Sequence, residues 1–522
     1  MIPIRTNFHH LLAQAAATAP DAPALTYRST TVSYADTWRM SRAAASQLLA
    51  IGLTRGDRVA IYLEKRIETV AAIFAISTAG GVFVTINHVL KATQVSHILG
   101  DSGAGVLITS ADRLAQLALV LPNTRVTRVI VVGDVAPDPT ASWQAYSWND
   151  GQAAAGDPHP SPAIDIDPAA ILYTSGSTGK PKGVVLTHRN LLVGAESVSS
   201  YLKNTSDDVI LSALPLSFDA GLSQVTTAFS VGAHCILMNY LLPREVPKLC
   251  EQYGVTGLTC VPPLWLQIAD LNWPEAAAGR LRYWANTGGR MPRATLDRLR
   301  SIFTEADAYL MYGLTEAFRS TYLDPTEVDR HPDSIGKAIP NAEILVLRAD
   351  GTQCAPGEEG ELVHRGALVA LGYWNDPTRT AERFRPVCHP GQNWRAPESA
   401  VWSGDTVVAD AEGFLYFVGR KDEMIKTSGY RVSPSEIEEA AYNTGLVRDA
   451  VAIGVEDPSL GQRIVLVATP TDTGLDVDAL TAALKQILPL YMVPSRIEVR
   501  DELRRSPNGK YDRNLLTTEV SR

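Results

Sequence analysis

Short apolar runs alternate with longer mixed stretches through the first part of the chain. Residues 58–63, 82–86, 105–110 and 126–133 read "RVAIYL", "VFVTI", "GVLITS" and "VTRVIVVG". Runs of this kind predict buried strands, whereas "YADTWRMSRAAASQLLAIG" at 34–52 predicts a helix. The alternation indicates an α/β protein in which helices cover sheets.

Two further regions show a different organisation. The Ala-, Gly- and Pro-rich stretch near 135–165 predicts a surface connection. Near the C-terminus, "AVAIGVED", "QRIVLVATP" and "DVDALTAALKQIL" predict two strands and a helix, and hence a small α+β domain. A chain of 522 residues with 45% hydrophobic composition is long enough for this second domain.

Composition limits the classes of partner. The formal net charge is −9, which does not favour a broad nucleic-acid-binding surface. Five scattered cysteines without a C-x-x-C pair give no zinc signature and are typical of a reducing compartment. The chain also lacks an apolar leader and any uncharged run of about 20 residues. The sequence therefore predicts a cytoplasmic protein with neither a nucleic-acid nor a membrane partner.

The stretch at 171–188, "ILYTSGSTGKPKGVVLTH", places Gly, Ser, Thr and Lys between two apolar runs. Glycines let backbone N–H groups approach an anion, and the hydroxyls and lysines add donors and charge, so the stretch predicts a phosphate cradle. "GVVLTH" predicts a strand, with Thr187 capping a following helix. A flexible linker is the alternative, but the apolar flanks favour a place inside a domain.

Two known patterns fit this stretch less well. A P-loop needs four residues between its glycines and Ser or Thr after its lysine, which Gly176, Gly179 and Lys180 do not provide. Ser177 and Lys180 match the serine–lysine pair of acyl-serine enzymes, and "KTSG" at 426–429 weakly matches their K-T-G element. The third element of those enzymes, S-x-N, is not placed between these two, so this alternative is disfavoured.

Five motifs follow one another in the order of the adenylate-forming superfamily. They are "LYTSGSTGKPKGV" at 172–184, "YGLTE" at 312–316, "WSGD" at 402–405, "GRKDEMIKTSGYRVSPSEIE" at 419–438 and "PNGKYDR" at 507–513. From about residue 8 to its end, the chain resembles this superfamily of acyl-CoA synthetases, amino-acid adenylation domains of peptide synthetases, and luciferases. "YGLTEAFRSTYLDP" also resembles acyl-CoA ligases associated with bacterial exosortase loci.

The resemblance implies a fold and a reaction. A large N-terminal domain of sheets covered by helices, residues 1–421, would bind ATP and the acid, and a small mobile α+β domain would span 422–522. A carboxylate would attack the α-phosphorus of ATP, giving an acyl-adenylate and pyrophosphate, after which a thiol takes the acyl group and AMP leaves. Because two anions must meet, the protein must supply cations, amide dipoles and Mg²⁺.

The resemblance also implies the nucleotide-binding residues. Glu316 would bind Mg²⁺, Thr315 would contact the α-phosphate, and Tyr312 would stack on adenine beside the glycines of "NTGGR". Asp405 would accept hydrogen bonds from both ribose hydroxyls, and Arg420 would support the ribose or the phosphate. The implied ATP-binding residues are Thr174, Ser175, Gly176, Ser177, Thr178, Gly179, Lys180, Lys182, Gly288, Gly289, Tyr312, Gly313, Asp405 and Arg420.

The second domain would carry the catalytic lysine. The Pro-Asn-Gly turn would place Lys510 at a loop tip, where its ammonium could bridge the acid's carboxylate and the α-phosphate. Asp422 matches the hinge position of the family. After rotation there, the segment that contains Lys426 and Gly429 would face the site for thiol transfer.

The acid pocket would be built around "PLSFDAGLSQ" at 215–224. Amino-acid-activating members place an Asp after an aromatic residue here, so Asp219 after Phe218 could pair with a substrate ammonium. Asp219 could instead cap a helix, or pair with Arg319, which could also bind a second carboxylate. The other lining residues implied are Ala220, Ser223, Leu264, Ala285, Thr287, Met311 and Ser320.

The sequence thus predicts an AMP-forming ligase for a small carboxylic acid, either an amino acid or another polar acid. No carrier domain follows the last motif, so the thiol would come from coenzyme A or from the phosphopantetheine arm of a separate acyl carrier protein. The alternatives are an acyl-CoA synthetase for an uncharged acid, a luciferase-like oxidative use of the adenylate, and a non-catalytic nucleotide-binding protein of the same fold.

Overall fold

The computed structural model describes residues 5–134, 140–153, 161–174, 181–240, 242–387, 394, 396–420, 423–427, 430–457, 460–472, 474–506 and 509–521. The helices within these ranges are α1 His10–Thr18, α2 Tyr34–Ala50, α3 Ile67–Thr78, α4 Ala92–Ser102, α5 Ala111–Leu117, α6 Trp148–Ala153, α7 His188–Tyr201, α8 Asp219–Val231, α9 Glu245–Tyr253, α10 Pro262–Ala269, α11 Glu275–Ala278, α12 Arg293–Ile302, α13 Pro377–Arg383, α14 Pro434–Asn443, α15 Val477–Ile487 and α16 Arg513–Val520.

The strands of the same ranges form three sheets. They are β1 Pro23–Tyr27, β2 Thr30–Ser33, β3 Arg58–Tyr62, β4 Val82–Thr85, β5 Val106–Ser110, β6 Arg128–Val132, β7 Gln144–Ser147, β8 Pro168–Thr174, β9 Lys182–Thr187, β10 Val209–Ser212, β11 His234–Leu237, β12 Gly257–Cys260, β13 Tyr283–Asn286, β14 Asp307–Tyr312, β15 Thr321–Leu323, β16 Ser334–Ala338, β17 Ala342–Leu347, β18 Glu359–Gly366, β19 Gly372–Tyr373, β20 Phe384–Val387, β21 Glu398–Ala409, β22 Leu415–Arg420, β23 Ile425–Thr427, β24 Tyr430–Val432, β25 Val447–Asp457, β26 Gly461–Pro470 and β27 Arg496–Val499.

The first two sheets belong to the large N-terminal part of the chain. The first has the order β19-β9-β8-β4-β3-β5-β6-β7 and is parallel from β8 to β7. The second has the order β17-β18-β21-β22-β16-β15-β14-β13-β12-β10-β11-β1-β2, and β20 pairs with β21. Its strands run parallel from β14 to β1 and antiparallel beyond both ends of that block.

The third sheet belongs to the C-terminal part and has the order β24-β23-β26-β25, with β27 paired to β26. Helices α14 and α15 pack beside it around a core that includes Ile437, Leu466 and Leu484. The predicted strand, strand and helix are β25, β26 and α15. The predicted fold class, a large α/β part with a smaller α+β part, is therefore confirmed.

One apolar core joins the two large sheets. It contains residues of β3, β4 and β8 from the first sheet and of β10, β13 and β14 from the second, together with helices α2, α3, α7 and α8. Phe74, Phe83 and Phe229 are fully buried in it. Helices α2 and α7 begin at capping boxes, Ser33 with Asp36 and Thr187 with Asn190, which satisfy backbone N–H groups of the first turn.

The predicted connection near 135–165 is partly wrong. Gln144–Ser147 forms edge strand β7, which pairs with β6, and Trp148–Ala153 forms α6. An edge strand pairs on only one side and needs no apolar run. A polar edge strand such as β7 is therefore not predicted from apolar runs. Trp148 is buried and anchors this segment. Among the described residues, no helix has the length and apolar character needed to span a membrane.

Candidate active site

The candidate site lies where parallel strands of the second sheet end. Strands β10, β12, β13 and β14 are neighbours and end at Ser212, Cys260, Asn286 and Tyr312. The loops that follow them carry "PLSFDAG", "NTGGR" and "YGLTE". Because the carboxyl ends of parallel strands meet at one edge of a sheet, motifs far apart in the sequence converge there.

Glu316 lies in a 3₁₀ turn directly after β14. Its Oε1 accepts a hydrogen bond from the Tyr373 hydroxyl at 2.6 Å and pairs with Lys182 Nζ at 3.1 Å, and Lys182 Nζ donates to the same hydroxyl at 2.7 Å. Burial acts to raise the pKa of Glu316, but Lys182 and Tyr373 outweigh it and the pKa is lowered. The Glu316 carboxylate is therefore held in its ionised form.

A second buried carboxylate, Asp405, lies on β21. Its Oδ2 accepts a hydrogen bond from the Tyr312 hydroxyl, and its Oδ1 lies 3.2 Å from Arg420 Nε on β22. Burial raises the pKa of Asp405, and the charge of Arg420 opposes that shift. The structure thus brings the predicted adenine, ribose and phosphate residues Tyr312, Asp405 and Arg420 together.

The third carboxylate, Asp219, is the first residue of α8 and is buried. Its Oδ2 accepts from Arg319 Nη1 at 3.0 Å, and its Oδ1 accepts from Thr315 Oγ1 at 3.2 Å. Its side chain makes no capping bond, so the helix-cap interpretation is wrong, and Phe218 is the N-cap residue. Of the sequence alternatives, the pair with Arg319 is the one that the structure shows.

Lys510 reaches this edge from the C-terminal part of the chain. Its Nζ lies 5.7 Å from the centre of the Phe218 ring, and its Cε would be 3.2 Å from a Cβ placed on Gly288. The room beside Gly288 is therefore taken by Lys510. The side chain is exposed to the open cleft, yet crowding by protein atoms lowers the pKa of Lys510, while the negative charge of Asp219 opposes this shift.

Two cavities border the site. One, of about 10 Å³, is lined by the predicted pocket residues Ala220, Ser223, Met311 and Arg319. The other, of about 450 Å³, is lined by residues of the large domain, Leu264 among them, and by Glu502, Arg505 and Gly509. Leu264 therefore faces a different space from Ala220, Ser223, Met311 and Arg319.

The remaining predicted residues have these places. Ala285 and Thr287 are buried at the end of β13, Gly289 packs against Pro262, and Ser320 Oγ lies 2.9 Å from His364 Nδ1. Gly313 packs against the backbone of Arg319. Thr174 ends β8, and its Oγ1 is buried without a hydrogen-bond partner among the described residues.

Other predictions fall outside the described residues. These are Ser175, Gly176, Ser177, Thr178, Gly179, Lys180, Asp422 and Gly429. Lys426 lies in β23, and only its backbone is described.

Three contacts of the site were missed by sequence reasoning. Tyr373, on β19, binds both Lys182 and Glu316. Phe318 and Gly194 are in close contact, because a Cβ on Gly194 would be 2.6 Å from Phe318 Cδ1. Tyr373 follows a glycine in "GYW", the one local signal available, while the other two residues lie in ordinary helical and turn sequence.

Comparisons with known proteins agree with this arrangement. Residues 12–374 match the AMP-binding enzyme family and residues 436–510 match the AMP-binding enzyme C-terminal domain, so the chain belongs to the AMP-binding enzyme family. These matches cover the described strand ends and Lys510. The predicted superfamily and the predicted class, an AMP-forming acid–thiol ligase that forms an acyl-adenylate, are confirmed by the family and its members.

Three similar proteins illustrate the range of the family. A long-chain-fatty-acid–CoA ligase of Salmonella typhimurium is 30% identical over 98% of this chain and 94% of its own length. An L-proline–[L-prolyl-carrier protein] ligase of Streptomyces coelicolor is 33% identical over 91% and 89%. The structure of o-succinylbenzoate CoA synthetase from Bacillus subtilis with its acyl-adenylate superposes with a TM-score of 0.83, at 27% identity over 98% of both chains.

Proposed function

We propose that this protein activates a small carboxylic acid, an amino acid or another polar acid, with ATP, and transfers the acyl group to the thiol of coenzyme A or of a phosphopantetheine carrier protein. The observation that carries this proposal is the position of Lys510 beside Gly288 and Phe218, at the strand ends that also hold Thr315 and Asp219. An ammonium there would bridge the acid's carboxylate and the α-phosphate, where negative charge accumulates.

The nucleotide would lie across the carboxylates of the site. Asp405 with Arg420 would bind the ribose, Tyr312 would contact the adenine, and Thr315 the α-phosphate. The segment from Thr174 to Lys182 would hold the β- and γ-phosphates. The hydroxyl of Thr174 has no hydrogen-bond partner among the described residues, so it offers a donor to them. Lys182 would supply positive charge close to the leaving pyrophosphate.

Glu316 fits the Mg²⁺ that accompanies ATP. It is an ionised oxygen ligand, and no group of three or more His, Cys, Asp or Glu side chains among the described residues would hold a metal by itself. Mg²⁺ is commonly held by one or two carboxylates together with phosphates and waters. When bound, the ion would neutralise charge on the phosphates, while Lys182 and Tyr373 keep the Glu316 carboxylate oriented.

The thiol arm would use the larger cavity. That cavity borders Ser217, next to Phe218, and Gly509, next to Lys510, so one end reaches the proposed reaction centre. Its lining also includes Glu502 and Arg505, which belong to the C-terminal part of the chain and would move with it, so the lasting part of the path is the lining from the large domain. We propose that this part, residues 422–522, rotates about Asp422 after adenylation, which moves Lys510 away and lets the thiol approach.

The identity of the acid depends on Asp219. With Arg319 3.0 Å away, its charge is already compensated, and a substrate ammonium is not needed to explain its burial. This favours the uncharged-acid alternative more than the sequence did. Asp219 still accepts a hydrogen bond from Thr315. A substrate group that contacts Asp219 would therefore lie close to the reacting carboxylate of the acid.

ATP–pyrophosphate exchange across amino acids, dicarboxylic acids, and aromatic and fatty acids tests the proposal, with wild type and Asp219→Ala compared. We expect a small polar acid or amino acid to drive exchange. If only an amino acid does so and the variant loses exchange while its melting temperature and its KM for ATP stay near those of wild type, Asp219 binds the ammonium. If an uncharged acid does so in both proteins, the acyl-CoA synthetase alternative holds. If no acid drives exchange, the protein is not an adenylating enzyme.

A further inference from the structure

The backbone at residues 317–319 is strained. Phe318 has φ 57° and ψ −56°, and Arg319 N lies 2.6 Å from the carbonyl oxygen of Ala317. These values define the rare positive-φ γ-turn, in which a bulky residue is costly. The Phe318 ring is fully buried against Gly194, whose lack of a side chain leaves room for it. Packing at a distant glycine therefore holds the turn in place.

The strained turn directs Arg319 into the protein. The Arg319 and Asp219 side chains are each 3% exposed, and Arg319 Nη1 donates to Asp219 Oδ2 and to the carbonyl oxygen of Phe318. Arg319 Nε is buried, and no described residue accepts a hydrogen bond from it. Burying two charges is expensive, and a pair of apolar side chains of similar volume would often be no less stable. Stability alone therefore does not explain the pair.

The pair also limits the space for an acid. The cavity that Arg319 borders, beside Ser223 and Met311, has a volume of about 10 Å³, enough for roughly one water molecule. On its other side Asp219 contacts Thr315, the proposed α-phosphate residue. The Asp219 carboxylate, which bonds to both Thr315 and Arg319, therefore separates the proposed reaction centre from the Arg319 guanidinium.

We infer that the buried Asp219–Arg319 pair determines acid specificity: it ends the acid pocket close to Thr315, and Arg319 binds a second oxygen acceptor on a short acid. The substrate class is thus a short acid with a carboxylate, amide or hydroxyl oxygen beyond its reacting carboxylate. This inference rests on the proposed function. Long or purely apolar acids are excluded because they would collide with the pair or leave the guanidinium unsatisfied.

Acid-dependent pyrophosphate exchange by the full chain tests the inference. The panel pairs apolar straight-chain acids of increasing length with acids of equal length that carry a terminal carboxylate, amide or hydroxyl. For wild type, we expect kcat/KM at least about tenfold higher for a short polar acid than for its apolar match. Because either single substitution leaves one buried charge unpaired, the decisive variant is Asp219→Asn with Arg319→Met, which should lose that preference and accept longer apolar acids.

A matched control removes another ion pair from the same sheet. Arg282 and Asp208 pair at 2.7 Å, and they precede β13 and β10 at the opposite ends of these strands. Asp208→Asn with Arg282→Met should lower the melting temperature and keep the wild-type order of acids. This separates loss of a pocket determinant from general loss of stability.

Four outcomes are distinct. A shift of the double Asp219→Asn/Arg319→Met variant toward longer apolar acids, with an unchanged KM for ATP, supports the inference. An order of acids that the double variant does not alter overturns the inference and leaves the proposed function standing. Exchange by wild type that is best with a long apolar acid overturns the inference and the proposed small polar acid, and leaves acid activation by ATP standing. Absence of exchange with every acid overturns the proposed function, and the inference with it.

Discussion

Two buried carboxylates of the same site, Glu316 and Asp219, are each paired with a cation, but in different ways. Glu316 shares Lys182 with the Tyr373 hydroxyl, in a three-membered cluster that the superfamily motifs partly specify. Asp219 has Arg319, which lies outside those motifs and is placed by a strained turn. The nucleotide side is thus built from motif residues, and the acid side is completed by a residue outside the five motifs.

The comparison separates what the reaction needs from what the substrate needs. ATP presents the same phosphates to every member of the family, so Glu316 and Lys182 would act on the same negative charge whichever acid is bound. The acid varies, so the residues around Asp219 need only suit one substrate. Substitutions on the nucleotide side should therefore reduce activity with all acids. Substitutions on the acid side should change the order in which the acids are preferred.

The largest effect should follow Lys510→Ala, because the proposed role of Lys510 is to bridge the acid and the nucleotide. We expect acid-dependent pyrophosphate exchange to fall by about 10³-fold, since the group that compensates charge between carboxylate and α-phosphate is lost. Thiolysis of a supplied acyl-adenylate should be largely retained. Exchange at the wild-type rate in this variant would refute the assignment of Lys510.

The next largest effect should follow Glu316→Gln, which keeps the shape of the side chain and removes its charge. We expect exchange to fall by about 10²-fold for every acid, with a higher Mg²⁺ concentration needed for half-maximal rate. The measurement is exchange against Mg²⁺ concentration for two acids. A loss of exchange with only one of the two acids would contradict the assignment of Glu316 to the nucleotide side.

Local patterns predicted those parts of the molecule that local interactions determine. The apolar runs identified β3 to β6, and Thr187 identified the start of α7, because burial and capping act within a few residues. The contact of Gly194 with Phe318 and that of Tyr373 with Glu316 link residues distant in sequence. Such contacts depend on how the sheets and helices pack, which no local pattern encodes.

The ambiguity of the sequence at Asp219 has the same physical origin. The sequence "SFDAG" is compatible with a cap, an ammonium site or an ion pair, because each needs only an acidic residue at a helix start. Arg319 resolves the choice through its position in space, which the turn at Phe318 determines. That turn contains no glycine or asparagine, the residues that would indicate a positive φ in the sequence.

A change at Gly194 should affect the acid side through packing alone. The Cβ of Gly194→Ala would lie 2.6 Å from Phe318 Cδ1, so the ring must move and the strained turn with it. We expect a loss of about 3 kcal/mol in the free energy of unfolding. The KM for the acid should rise while the KM for ATP stays near that of wild type. A rise in both KM values would mean that the turn also supports the nucleotide side.

The smallest effect concerns His364, behind the acid side, whose Nδ1 lies 2.9 Å from Ser320 Oγ, next to Arg319. Burial lowers the pKa of His364 to about 3, so the imidazole stays neutral in the folded protein over a pH range in which an unfolded chain takes up a proton. Stability should therefore fall as the pH drops below about 6.5, and this one group accounts for about 2 kcal/mol at pH 5.

His364→Asn tests this contribution by urea unfolding at pH 7.5 and pH 5. The variant should lose less stability between the two pH values than wild type, by about 2 kcal/mol, because asparagine does not titrate. The other buried histidines are common to both proteins and cancel in the difference. An equal loss in both would mean that His364 becomes protonated in the folded state. The protein behind Arg319 would then accommodate a positive charge, which the close packing around the buried His364 and Ser320 side chains does not favour.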